Sequence, residues 1–317
     1  MSTPSTGLDY TETLLDPRKL RHFLQVYHTR NFARAAEANN VTQQAVSKSI
    51  AKLEELLGAS LFERGAYGAA PTIYGDALAR RAKIILSENR LVSAEISALK
   101  GAETGGVRAG FGWSFLPRIA PFAIERFRKR RPGITVSIET GDSTTLFKKL
   151  MAGELEFVAS APPPVIAIDP ELHTKTLFHE TDILVMRAGH PLAKKRVPSL
   201  EALSQLTWLV SFALGEHWRL IAKAFIEKGH SPPANLIDVD SVLLAKSMIA
   251  QSDCVAFLSH ELVAKEVERR EFIGRRVAEF PSRRPAYLTT RKRSVTQSGA
   301  KAFMRDLSLV CAGLEFD

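Results

Sequence analysis

Cysteine is almost missing: 317 residues hold two, Cys254 and Cys311. Two thiols cannot supply the disulfide framework of a small secreted domain, and each reads as a small buried hydrophobe. No run of about 18 apolar residues occurs, so no segment is suited to cross a bilayer as a helix. The stretch 1–16 has no basic region followed by an apolar core, and no export signal is expected. The eight histidines are scattered; His173 and His179 stand six apart with no cysteine near them, so no metal site is expected. Signatures of catalysis are missing too. Ser49-Ile50-Ala51-Lys52 and Ser97-Ala98-Leu99-Lys100 match Ser-x-x-Lys, but the companion Lys-Thr-Gly does not occur. Gly110-Phe111-Gly112 lacks the third glycine of a dinucleotide loop, and no glycine run ends in Lys-Ser or Lys-Thr. The expectation is a cytoplasmic protein that is not an enzyme, holds no cofactor and touches no membrane.

What is present is a globular composition, 45% hydrophobic and 24% charged, long enough for two or three domains. Basic residues outnumber acidic ones by 43 to 34, a net +9, which suggests a polyanionic partner. The surplus is unevenly placed. Residues 1–104 carry 13 basic and 11 acidic side chains, whereas 18–58 alone carry 7 against 3. Most of the excess lies beyond residue 104, notably at 126–131 and 269–293, where solvent is the default neighbour.

Residues 1–15, rich in Ser and Thr, read as a flexible arm. Asp16-Pro17 is an N-cap followed by proline at the first helical position. Leu20, Phe23, Leu24 and Tyr27 then fall on one helical face. Asn31 caps a second short helix, Asn39-Asn40 stops it, and Thr42 caps a third that ends at Gly58. Val46, Ile50, Leu53 and Leu57 form the third helix's apolar stripe. Gln44, Ser47, Lys48, Ala51 and Lys52 look outward, with Glu54 and Glu55 at the far end. Such a helix can place its N-terminal half in a major groove, where Gln can pair with adenine and Lys with guanine or phosphate. Residues 61–72 read as strand, turn, strand. Thr72 to Lys100 reads as one helix of about 43 Å, with Leu78, Ile85, Val92 and Leu99 in heptad register as a seam for a partner helix.

Residues 18–101 resemble the N-terminal domain of the LysR-type transcriptional regulators. The resemblance rests on Leu20-Arg21-His22-Phe23, Asn31 to Ala36, Val41 to Ile50, Leu53-Glu54, Leu61 to Arg64 and Thr72 to Gly75, all in register. Gln44 stands where the family often has proline, and Pro71 where it usually has leucine. The implied DNA contacts are Arg34, Thr42, Gln43, Gln44, Ser47, Lys48, Lys52 and Arg64, and the implied assembly is a homodimer or homotetramer on an inverted-repeat operator in double-stranded DNA, with RNA polymerase as a further partner.

Beyond a Gly-rich hinge (101–106) strands alternate with helices, the mark of an α/β domain. This order resembles the family's two-lobed effector domain, with Gly153 to Val158 and His190-Pro191-Leu192-Ala193 at matching places. The expected fold class is α plus α/β: a winged helix-turn-helix domain over 16–71, a linker helix and hinge over 72–104, and an effector domain over 105–317. Its lobe I comprises 105–179 and 283–317, and its lobe II 180–282. A small-molecule effector is expected between the lobes at the ends of strands, near Trp113, Ser114, Ser143, Thr144, Ser211, Phe212 and Ser241. Hydroxyls and open amides at a helix start favour an organic acid, a carboxylate. The alternatives are a solute-binding protein or enzyme with a fused helical arm, and a sequence-neutral nucleoid protein.

Overall fold

The computed structural model describes residues 15–65, 68–99, 106–161, 171–195, 198–211, 215–280, 282–292 and 298–314. The chain divides near residue 96 into two compact units. The expected arm (1–15) lies outside the described residues except for Leu15, and most of the hinge lies outside them too.

The first unit begins with helices α1 (Pro17–Thr29), α2 (Phe32–Ala38) and α3 (Gln43–Leu57). Each start is satisfied by a side chain: Asp16 accepts from the Arg18 amide, Asn31 from Ala33 and Arg34, and Thr42 from Ala45. Their ends turn through the left-handed region at Arg30, Asn40 and Gly58. A hairpin of β1 (Phe62–Gly65) and β2 (Gly68–Pro71) follows, then α4 (Ile73–Leu99), about 40 Å long. Leu20, Phe23 and Val26 meet Val46, Ile50 and Leu53 in one core, closed by Leu61, Phe62 and the first turns of α4. Each such side chain removes apolar area worth about 1.5–3 kcal/mol. At Gly75 the fold needs glycine, because a Cβ would overlap the Leu61 carbonyl oxygen.

The seam expected on α4 needs correction at its N-terminal half. Leu78 is 8% exposed and packs in this core beside Ala79, Ala82 and Leu86, with Ile85 partly buried against it. A three-helix head has too little apolar area to close on itself, so α4 covers it with that stripe. Val92 is exposed, as are Ile73 and Ile96, while the Leu99 side chain lies outside the described residues.

The second unit is built on a nine-stranded sheet flanked by helices. Strands β3 (Gly106–Gly112), β4 (Thr135–Gly141) and β5 (Phe157–Ser160) run parallel, with α5 (Ile119–Arg130) and α6 (Ser143–Met151) between them. Next comes β6 (Leu172–Arg187), then α7 (Leu200–Ser204), β7 (Trp208–Val210), α8 (Gly215–Glu227) and β8 (Leu236–Asp238). The chain continues through α9 (Val242–Gln251), β9 (Val255–Ser259), α10 (His260–Glu268) and β10 (Phe272–Arg275), and returns in β11 (Arg283–Arg291) and α11 (Ser298–Gly313). The lobe boundary at 179/180 is not a break in the backbone. β6 is one 16-residue strand. Its first half pairs with β11 and its second with β9 and β10, so both lobes share it. The β6–β11 register shifts at Ala286/Tyr287, a bulge that bends the ladder. Phe111, Phe127, Phe157 and Phe303 pack the core of lobe I, and Trp208, Phe225, Phe257 and Phe280 pack that of lobe II.

Candidate DNA-reading face and ligand cleft

On α3 the head buries Val46, Ile50 and Leu53 of the apolar stripe, while Leu57 is exposed; Gln43, Gln44, Lys48 and Lys52 are exposed and Ser47 is half-buried. Gln43 and Ser47 line a groove of about 410 Å³ with Arg30, Asn31 and Ala69, so α1, α2, α3 and the wing converge there. Arg30 was not singled out in the sequence. Its guanidinium stacks over the Tyr27 ring at 4.8 Å, and its carbonyl accepts from the Ala69 amide at 2.9 Å, tying α1 to the wing. Arg34 is exposed on α2, and the Arg64 side chain lies outside the described residues. Thr42 serves as a cap. Lys52 pairs with Glu55 at 2.9 Å in an exposed ion pair, which is weak and exchanges readily for phosphate. Glu54 does not merely end the polar face: its Oε1 accepts from the Leu61 amide at 2.7 Å and holds the start of the wing.

In the second unit a cleft of about 160 Å³ opens where β3, β7 and β9 end. It brings together Trp113, Ser114, Ser143 and Ser211 from the expected set. Thr144 and Ser241 do not line it; Ser241 caps α9 by accepting from the Leu244 amide. Phe212 lies outside the described residues. Sequence reasoning missed Asp142, Glu180, His217, Trp218, Asp240, Ser259 and Arg284. One signal was available, since the chain's three tryptophans, Trp113, Trp208 and Trp218, all line this cleft.

Charge in the cleft is concentrated where β6 and β11 cross. Arg284 Nη2 reaches Glu180 Oε2 at 3.3 Å and Asp182 Oδ1 at 3.4 Å, while Ser114 Oγ donates to Glu180 Oε1 at 3.1 Å. His217 Nε2 stands 3.3 Å from Asp182 Oδ2 without a well-aligned hydrogen bond. Burial pushes the Glu180 carboxyl up, and the neighbouring guanidinium offsets this only in part. Burial works against charge on Arg284 as well, but Asp182 and Glu180 outweigh it and hold the guanidinium's pKa up. The basic run at 269–293 is therefore not wholly a solvated patch. Neither is 126–131, where Arg126 and Arg130 pair with the buried Asp306.

The start of α6 also departs from expectation. Partial burial works against charge on Asp142, yet hydrogen bonds from Thr145 and nearby amides outweigh it and hold the carboxyl below its usual range. Asp142 Oδ1 accepts from the Thr145 amide at 2.9 Å. The Ser143 hydroxyl donates to the Ala161 carbonyl. The place expected for an effector's carboxylate holds the chain's own. Cys254 and Cys311 are both free and buried, and burial pushes the Cys311 thiol up to about 12, far from a reactive thiolate.

A helix-turn-helix head with a wing, followed by a two-lobed module with a cleft, defines a ligand-responsive DNA-binding protein. The comparisons agree. Residues 17–76 match the bacterial regulatory helix-turn-helix model of the lysR family, and 100–310 match the LysR substrate binding domain model. A "SDS degradation transcriptional activation protein" of a Pseudomonas species is 30% identical over 298 residues, covering 93% of this chain and 95% of its own. Among solved structures, a full-length OxyR from Pseudomonas aeruginosa aligns with TM-score 0.65 at 22% identity, over 95% of both chains. Full-length CbnR in complex with its target DNA aligns with TM-score 0.63 at 19% identity, over 93% of this chain and 100% of that one. The chain belongs to the LysR family of DNA-binding transcriptional regulators, which are not enzymes. No helix among the described residues is long and apolar enough to cross a membrane.

Proposed function

We propose that this regulator acts in the cytoplasm as a homodimer, or a dimer of dimers, that reads an inverted repeat with the N-terminal half of α3. The observation that carries the reading is the division of α3 into a buried Val46–Ile50–Leu53 stripe and an opposite Gln43–Gln44–Lys48 face free of acids. Arg34, Lys48, Lys52 and Arg64 hold phosphates and set the register, and Gln43, Gln44 and Ser47 discriminate base edges. Two heads on one two-fold axis supply the contacts that one small head lacks. A small organic molecule in the cleft changes lobe closure, and through the oligomer the spacing of heads, the bend of the DNA and contact with RNA polymerase. Trp113 and Ser114 of lobe I and Ser211 of lobe II, all in its lining, support that site. An organic acid, the class suggested by the sequence, would depend on Arg284, which Glu180 and Asp182 already engage.

The test is a selection of bound sequences from a random DNA pool. Wild type should enrich an inverted repeat, and Gln43→Ala should relax one position in each half-site, at about 1–3 kcal/mol of lost discrimination. An unchanged consensus would remove Gln43 from base reading. Enrichment of no sequence at all would favour the nucleoid reading.

A further inference from the structure

From the charge balance and the unpaired Ser211 hydroxyl of the cleft, we infer that its ligand is an uncharged molecule with an apolar body and a hydroxyl head, an alcohol or phenol, rather than a carboxylate. This rests on the reading of the cleft as the effector site.

Three observations converge. First, among the described residues the basic side chains of the cleft stand beside acids: Arg284 bonds Glu180 and Asp182, and His217 stands beside Asp182. Asp142 and the exposed Asp240 add negative charge to the same lining. An incoming carboxylate would lose its water beside these acids and find the helix-start amides taken by Asp142. Second, the Ser211 hydroxyl and Arg284 Nε are buried in this lining without a hydrogen-bond partner, whereas the Ser259 hydroxyl already serves the Glu180 carboxylate. Buried polar atoms left unpaired are costly, and a ligand hydroxyl, which both donates and accepts, relieves them without adding charge. Arg284 Nε could equally serve a carboxylate, but its guanidinium already spans two acids. Third, the remaining wall is apolar, with Trp113, Trp218, Leu209, Val242 and Phe257 around about 160 Å³. That space suits a ring or a short chain, not a long one.

The test uses the full-length chain, whose only tryptophans lie in this lining. Benzyl alcohol and hexan-1-ol are titrated against benzoate and hexanoate at pH 7.5, with tryptophan emission and calorimetry as readouts. The alcohols should bind saturably and at least about tenfold tighter than the matched acids. Ser211→Ala should weaken the alcohols about tenfold. Acids binding as tightly as the alcohols would overturn the ligand class while leaving the cleft as the effector site. No saturable binding of either series would overturn both, and retained operator binding in that case would show the protein to be folded and the DNA-reading assignment untouched.

Discussion

Glu54 and His190 show how single side chains carry more structure than their residue types suggest. Glu54 ends a helix that looks amphipathic on paper, yet its carboxylate receives the Leu61 amide and, at 3.4 Å, that of Phe62. Glu54→Ala leaves those amides without their acceptor. It should cost about 1–3 kcal/mol in urea unfolding and loosen the wing. His190 is 3% exposed, and its Nδ1 accepts from the Leu192 amide at 3.0 Å. Burial holds its pKa below the ordinary 6.5, against a smaller opposing pull from Asp253. A depressed pKa means that the unfolded chain takes up the proton first as pH falls. Stability is then present above about 6.5 and lost as pH drops through the native value. His190→Asn keeps an acceptor and removes the proton, so the fall in urea midpoint between pH 7 and 5 should shrink. His22 and His28, also held low by burial, keep it from vanishing.

At the scale of elements, α4 separates what periodicity can and cannot say. A heptad repeat identifies an apolar stripe but not the surface that covers it, and the head's own core claims Leu78 and Ile85. Leu78→Ala should therefore destabilise the monomeric head by about 2–5 kcal/mol. Val92→Glu, on the exposed face, should instead shift sedimentation toward monomer with little change in the head's melting. A dimer that survives Val92→Glu would place the seam elsewhere on α4. The caps at Asp16, Asn31 and Thr42 were legible because capping is a local bond with a local sequence signature. The helix α10 and strand β10 were not, nor was the continuity of β6. Its polar stretch between Phe178 and Ile183 reads as a break because it runs beneath the cleft, where Glu180 and Asp182 are buried only by virtue of Arg284 from β11. A pairing over 102 residues leaves no trace in either segment alone.

For the whole molecule, that ionic crossing is both support and constraint. Arg284→Met would leave Glu180 and Asp182 buried without their cation. Arg284 is itself partly exposed, so the expected cost is about 3 kcal/mol rather than the full penalty of a sealed pair. Calorimetric unfolding should show it, and unchanged melting would mean that water already screens the site.

The division of lobe I between two distant stretches of chain also governs the order in which the protein can be made. Its core needs Phe111 and Phe127, made before lobe II, and Phe303 and Leu307 from α11, made after it. A ribosome that has completed the head and most of lobe II still holds the closing helix in its exit tunnel. The helices that form the DNA-reading core therefore leave the ribosome well before the sheet of the second unit can close.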